Sequence, residues 1–297
     1  MVRYPIDRQA LLDLIAAERP TWLGRAKART DEYARARDYS GGSEFWGEIK
    51  NVYIRLQHEK CAYCETKLQG AQLASKVHEV EHFRPKQSVK GWPNPGLAYL
   101  ADFVPPCAMG STSRVGYYKL AYHPFNYAIA CTRCNSTLKS NYFPVRGKRR
   151  TAGADPSRMQ AEGALLVYPI SDIDDDPGEL VTFDGVLAVA KHETGPEHAR
   201  AVTIIRFFQL NHEDLATRRA EMIGQLWLNL EFMATTSNTV LRERLRVLID
   251  ATCSARGQFS ACMRAFRELY ASDHDRARSY GEMALTNGQP PPADAPT

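Results

Sequence analysis

Four of the seven cysteines stand in two Cys-x-x-Cys pairs, Cys61 with Cys64 and Cys131 with Cys134. Four thiolates are the number that a closed tetrahedral zinc site needs, and this spacing lets one tight turn present both sulfurs of a pair. We therefore predict one structural Zn²⁺ that joins two distant parts of the chain. The alternative is two unrelated pairs of buried or redox-active cysteines.

Between the two pairs lies an adjacent acid and imidazole, Glu81 and His82. A neutral imidazole can take a proton from water, and a carboxylate is a hard oxygen ligand for Mg²⁺ or Mn²⁺. Neighbouring side chains of a regular strand point to opposite faces, so both can serve one site only where the strand ends or bulges. Pro85 favours such an ending, although a Glu-His pair at a strand end can also be purely structural.

Two asparagines and a lysine follow around the second cysteine pair. Asn135 and Lys139 are four residues apart on a predicted helix and therefore share a face. Asn135 offers an amide oxygen to a hard metal ion, and Lys139 offers a positive charge to a phosphate. Asn126 could hold a backbone segment or an imidazole in register. The alternative for Asn135 is a helix cap just after a zinc-binding turn.

These residues, in this order, resemble the HNH endonucleases, whose core is a ββα-metal fold. The resemblance implies that His82 is the general base and that Asn126 orients the loop of that base. It also implies that Glu81 and Asn135 are ligands of one catalytic Mg²⁺ or Mn²⁺. The sequence departs from the family at two positions, because Glu81 stands where many members have Asp and Lys139 where many have His. For Lys139 we therefore predict a phosphate contact.

Within that superfamily the chain further resembles the HNH subunit of Septu-type and retron-associated anti-phage systems, over most of residues 45–220. The resemblance rests on Cys61-Ala-Tyr-Cys64-Glu65, Glu81-His-Phe-Arg-Pro-Lys86, Cys134-Asn135, Asn141-Tyr-Phe-Pro144, Leu210-Asn211, Leu215 and Arg218. It implies DNA as the substrate and a role as effector nuclease in phage defence. It also implies an ATPase partner, which could dock on the C-terminal half of the chain.

The net charge of +4 is distributed unevenly, with +11 on residues 1–158 and −7 on residues 159–297. A basic half predicts a face that binds a polyanion, and the acidic half is available to a different partner. Arg84, Lys86 and Lys139 are the cations that we expect to hold phosphates without reading sequence. The basic run 146–150 either extends that track or is a solvated connector.

Hydrophobic spacing predicts the elements that position these side chains. We expect an α+β fold, a mainly helical chain around a ββα-metal core with a four-cysteine zinc site. The predicted elements are a helix capped by Asp7, helices 21–39 and from Ser43, strands 76–82 and 126–130, a helix 135–141, strands 165–169 and 181–189 with a turn at Asp184-Gly185, and helices 199–210, 212–234 and on to about 283. The predicted domains are an N-terminal helical segment 1–60, a nuclease core 61–158 and a mainly helical region 159–297 with a disordered tail at 288–297.

The composition also limits the class of protein. No long apolar run and no apolar leader occur in the sequence, so we expect a cytoplasmic protein without membrane contact. No glycine-rich phosphate loop of the Walker type occurs, so nucleotide hydrolysis would have to come from a partner. Two other functions stay open: a zinc-stabilised nucleic-acid-binding or scaffold module without cleavage, and an HNH-type nuclease that acts on RNA.

Overall fold

The computed structural model describes residues 1–68 and 79–286, in which a mainly helical chain carries two small sheets. The helices are α1 (Arg8–Glu18), α2 (Trp22–Ala36), α3 (Lys50–Leu56), α4 (Arg133–Lys139), α5 (Pro177–Leu180), α6 (Gly195–Phe207), α7 (Glu213–Thr235), α8 (Thr239–Cys253), α9 (Ser260–Ser272) and α10 (His274–Leu285). The strands are β1 (Glu79–His82), β2 (Tyr127–Ala130), β3 (Val181–Asp184) and β4 (Leu187–Ala190). The start of the predicted strand 76–82, His78 and the predicted tail 288–297 lie outside the described residues.

The sheet formed by β1 and β2 is antiparallel, with His82 opposite Tyr127. On its other edge, within the part of the chain that the structure describes, β2 is paired by a side chain and not by a third strand. The Gln57 amide donates to the Ile129 carbonyl at 2.8 Å and accepts from the Ile129 N–H at 2.7 Å. The Ala62 N–H also donates to the Ile129 carbonyl, at 2.9 Å. The end of α3 and the first cysteine turn are therefore fixed directly to β2.

The N-terminal helices begin close to where the sequence predicts. The Asp7 carboxylate accepts the Ala10 N–H at 2.8 Å and so caps α1, as expected. Thr21 precedes α2, but its hydroxyl makes no capping hydrogen bond. The helix predicted from Ser43 starts later, because a 3₁₀ turn over Trp46–Ile49 precedes α3.

In the C-terminal half, one strand prediction is confirmed and one is wrong. β3 and β4 form the predicted hairpin, and Gly185 turns it with φ of 56°, a conformation that favours glycine. Residues 165–169 do not form a strand of a sheet. This segment is buried, and its backbone bonds at both ends: the Leu165 N–H donates to the Pro144 carbonyl at 3.0 Å, and the Tyr4 N–H donates to the Pro169 carbonyl at 2.7 Å.

One continuous hydrophobic core runs through all three predicted segments, with Trp22, Phe83 and Phe208 among its members. The basic run 146–150 is mostly exposed, and its backbone is fixed to the segment that follows, since the Arg146 N–H donates to the Gly163 carbonyl at 2.8 Å. Over residues 1–68 and 79–286, none of the helices combines the length and apolar character that crossing a membrane requires.

Candidate functional site and cysteine cluster

The four paired cysteines meet in one cluster. Their sulfur atoms all lie within 4.8 Å of one another, and Cys64 Sγ is 3.8 Å from Cys131 Sγ. A tetrahedral zinc site with metal–sulfur bonds of about 2.3 Å has edges of roughly 3.8 Å, so the cluster fits a structural Zn²⁺. The first pair follows α3 and the second follows β2. Because their sulfur atoms meet in one cluster, the two pairs are not independent.

The predicted hydrolytic residues meet beside this cluster. Glu81, His82 and Asn135 line one cleft of about 620 Å³, and Lys86 lies on its wall. Asn126 is fully buried below them. Glu81 and His82 are the last two residues of β1, and the strand ends before Pro85, so both side chains can serve one site.

The imidazole of His82 is held in one orientation and one tautomer. Nε2 lies 3.1 Å from the Ala121 carbonyl oxygen, and since a carbonyl only accepts, Nε2 carries the hydrogen and Nδ1 carries a lone pair. The rings of Trp46 and Tyr127 stand edge-on to the imidazole, and their centroids lie 4.7 and 5.1 Å from the imidazole centroid. Burial, and after it the Lys86 charge, holds the pKa of His82 well below its usual range, so the ring is neutral near pH 7.

Glu81 forms a buried ion pair with Lys139, whose Nζ is 2.9 Å from Glu81 Oε1. The same ammonium donates to the His82 carbonyl at 3.2 Å and is completely buried. Burial lowers the pKa of Lys139, an effect that the neighbouring Glu81 carboxylate opposes. A cation therefore already lies against one oxygen of the carboxylate that the sequence predicts as a metal ligand.

Asn126 ties together the two segments that hold His82. Its Oδ1 accepts the Arg84 N–H at 2.8 Å, and its Nδ2 donates to the carbonyls of Arg84 and Leu120, both at 3.0 Å. Leu120 precedes Ala121, the residue that binds the imidazole. Asn126 therefore fixes the loop after β1 to the segment that accepts the His82 hydrogen bond.

Asn135 lies inside α4 and not at its cap. The helix begins at Arg133, two residues earlier than predicted, with Thr132 at its N-cap. It is wound as a π-helix, and the Ser140 N–H donates to the Asn135 carbonyl at 2.7 Å. Because Asn135 directly follows Cys134, the cysteine cluster positions the amide at the cleft.

Only one of the three expected phosphate-binding cations lines the cleft. Arg84 donates to Glu162 at 2.7 Å in a buried ion pair, and Lys139 is buried beneath Glu81. Lys86 lies on the cleft wall, with its Nζ 4.3 Å from the Trp46 ring centroid. Burial lowers the pKa of Lys86. A phosphate contact through Arg84 or Lys139 would first require its ion pair to open.

Two buried carboxylates support the site through long-range contacts that the sequence did not predict. Glu162 is 78 positions from Arg84, and nothing near it in the chain indicates a buried carboxylate. Glu65 follows the first cysteine pair, and its Oε2 accepts from Lys60 Nζ at 3.1 Å and from the Ser260 hydroxyl at 2.7 Å. Burial alone would raise the pKa of Glu65, but the nearby Met1 ammonium and Lys60 hold it at about 2. This network joins the cysteine turn to α9.

Residues 210–218 carry part of the sequence resemblance, and this segment contacts the hairpin of β3 and β4. Asn211 accepts the Ala188 N–H at 2.7 Å and donates to the Ala188 carbonyl at 3.0 Å, which fixes β4 to the end of α6. Arg219 is buried and donates to the Val186 and Leu210 carbonyls at 2.9 and 2.7 Å, whereas Arg218 is exposed. These contacts support the fold and lie outside the cleft.

Among curated proteins, the chain is similar to the Septu protein PtuB of Bacillus mycoides (strain KBAB4). The two are 29% identical over 180 residues, which is 61% of this chain and 52% of that protein. The chain thus matches about half the length of this relative. No protein-family profile matches the chain, and no solved structure gives a significant match.

Proposed function

We propose that this chain is a metal-dependent HNH-type endonuclease that hydrolyses DNA phosphodiester bonds. The observation that carries the proposal is the common cleft of Glu81, His82 and Asn135, built from two antiparallel strands and the following helix beside four clustered cysteines. A scaffold would need the cysteines, but it has no use for a neutral imidazole fixed in one tautomer in a cleft.

The residues of the cleft have complementary roles. Glu81 and Asn135 offer the hard oxygen atoms that would hold a Mg²⁺ or Mn²⁺ ion, and such an ion neutralises negative charge at the scissile phosphate and the leaving oxygen. His82 accepts the proton of the attacking water at Nδ1, because Nε2–H is engaged by the Ala121 carbonyl. Asn126 maintains that orientation through Arg84 and Leu120. Lys86 binds a phosphate oxygen from the wall of the cleft.

The biological setting that we propose is a Septu-like anti-phage defence system. The similarity to the Septu protein PtuB supports a role as a component of such a system. The resemblance in sequence implies an ATPase partner, which would contact the acidic region 159–297. Copurification from the native cells followed by mass determination tests this assignment, and recovery of the chain without a nucleotide-hydrolysing partner would argue against it.

Nuclease activity is tested by incubating the protein with plasmid and with total RNA, each with Mg²⁺ and with EDTA. We expect plasmid nicking or cleavage that EDTA abolishes, and a loss of about 10²-fold or more in His82→Ala. His198→Ala is the matched control, since His198 does not line the cleft and is distant from it in sequence. Cleavage of RNA alone would change the substrate, and binding of DNA without any cleavage would favour the scaffold function.

A further inference from the structure

The charges around the cleft attract a divalent cation less strongly than a site made only of carboxylates would. In the part of the chain that the structure describes, the charged residues lining the cleft are Glu44, Lys50, Glu81 and Lys86. Lys139 lies directly behind Glu81, so these five groups sum to one positive charge. Asn135, the second candidate ligand, is neutral. From these described groups, a divalent ion that enters the cleft alone therefore meets no net negative charge.

Lys139 is fixed where it opposes such an ion most. Its Nζ is 2.9 Å from Glu81 Oε1 and donates at 3.2 Å to the His82 carbonyl, and its side chain is fully buried. The ammonium cannot swing into solvent without breaking both contacts and leaving the buried Glu81 carboxylate without this counterion. Charges only a few ångströms apart interact strongly at a buried site, where water screens them poorly.

We propose that Lys139 is a positioning residue that keeps the affinity of the empty cleft for divalent cations low, so that the ion binds tightly only together with a phosphodiester. The negative charge of the phosphate then restores the balance that Lys139 removes. This inference rests on the proposed nuclease function and adds that nucleic acid and the cation bind cooperatively. Before nucleic acid arrives, the carboxylate has the ammonium as its counterion.

Affinity for Mn²⁺, measured from the electron paramagnetic resonance of the unbound ion, tests the proposal without any catalytic readout. The proteins are the wild type, Lys139→Gln, Lys139→Arg and Glu81→Gln. The ligands are Mn²⁺ alone, Mn²⁺ with a short phosphorothioate DNA duplex, and Mn²⁺ with a duplex whose backbone is neutral methylphosphonate. Far-ultraviolet circular dichroism and zinc content verify that each variant is folded.

We expect the charged duplex to raise the Mn²⁺ affinity of the wild type by about tenfold or more and the neutral duplex to leave it unchanged. Lys139→Gln, which keeps a hydrogen-bond donor without the charge, is expected to raise the affinity in the absence of DNA by about tenfold or more. Lys139→Arg keeps the charge and should behave as the wild type does, and Glu81→Gln should lose binding.

Two results would overturn the inference while leaving the proposed function intact. One is Lys139→Gln binding Mn²⁺ as weakly as the wild type while Glu81→Gln still loses binding. The other is a wild type that binds Mn²⁺ equally with and without the charged duplex, and this result needs no variant. If no protein binds Mn²⁺ under any condition and plasmid remains intact, the proposed function itself fails, and the inference fails with it.

Discussion

Asn126 holds the backbone of Arg84 from both sides, accepting its N–H at 2.8 Å and donating to its carbonyl at 3.0 Å. Arg84 is two residues beyond His82, and the same amide also binds the Leu120 carbonyl next to the residue that fixes the imidazole. The asparagine therefore acts on His82 through backbone on two sides, without touching the ring.

Replacing Asn126 with aspartate keeps the size of the side chain but removes both of its N–H donors. The Arg84 and Leu120 carbonyls would lose a buried partner, and a charge would enter a fully buried site. We expect the free energy of unfolding to fall by about 3 kcal/mol and plasmid cleavage to fall by about a hundredfold. Urea denaturation and a plasmid assay measure the two effects.

The matched control for this variant is Asn238→Asp. Asn238 caps α8 from an exposed position by accepting the Leu241 N–H at 3.1 Å, and aspartate is an equally good cap. Equal unfolding midpoints for the two variants would show that the Asn126 amide donors contribute nothing to stability.

The cysteine cluster should be required for the fold of the site. In Cys134→Ser one thiolate is lost from the four, so we expect zinc to fall well below one ion per chain and the melting temperature to drop by about 10 °C or more. Cys107→Ser is the control, because Cys107 is half-buried and lies outside the cluster. Elemental analysis and thermal melts report the outcome, and a Cys134→Ser protein with full zinc content would refute the four-sulfur assignment.

Local signals in the sequence were sufficient for the Asp7 cap and for the hairpin turn at Gly185, where the contacts are short in sequence. The two cysteine pairs meet across 67 positions, and their contact was predicted because a closed zinc site needs four thiolates. The prediction of a strand at 165–169 failed because an apolar run does not reveal its partner. The bridges that flank it, Tyr4 with Ile170 and Val145 with Ala164, are single and do not continue into a ladder.

The depth of the site could not be read from the sequence. A spacing of four residues predicts that Asn135 and Lys139 share a face, but it does not indicate that Lys139 runs inward beneath β1. Likewise, the sequence predicts Arg84 as an exposed cation that binds phosphate. In the fold it is buried against Glu162, which is 78 positions away. Burial decides whether a basic residue in a nuclease-like motif binds phosphate or a carboxylate of its own chain, and burial depends on long-range packing.

The Arg84–Glu162 pair should be costly to break. Glu162 is fully buried and also accepts from the Tyr117 hydroxyl at 3.0 Å and from the Arg150 N–H at 3.2 Å. Glu162→Gln would leave the Arg84 charge buried without a counterion, so we expect a loss of about 3–5 kcal/mol in the free energy of unfolding. Chemical denaturation measures this loss.

An exposed ion pair provides the comparison for Glu162→Gln. Glu243 pairs with Arg246 on the solvent face of α8, and Glu243→Gln should leave the unfolding midpoint nearly unchanged because water screens this pair. The double variant Arg84→Met with Glu162→Met should cost less than the two single changes together, because it leaves no unpaired charge. Strict additivity would contradict a buried ion pair.

His123 should make the stability of the protein depend on pH. Its Nδ1 accepts the Phe125 N–H at 3.1 Å, which requires the neutral ring, and burial lowers its pKa to about 4 against the opposing effect of Asp155. An unfolded chain protonates this histidine near pH 6.5, so between pH 6.5 and 4 the unfolded state binds more protons than the folded state. The free energy of unfolding should therefore fall as the pH falls through this window, by at most about 1.4 kcal/mol per pH unit from this group.

His123→Asn isolates that contribution, since asparagine also accepts a backbone N–H at a helix start but does not titrate in this range. Other groups that titrate between pH 7 and 4.5 contribute equally to both proteins and cancel in the difference between their urea-denaturation curves. The advantage of the wild type over His123→Asn should be greatest near pH 7 and should shrink towards pH 4.5. Parallel dependence on pH in the two proteins would mean that His123 has the same pKa in the folded and the unfolded chain, and it would contradict this prediction.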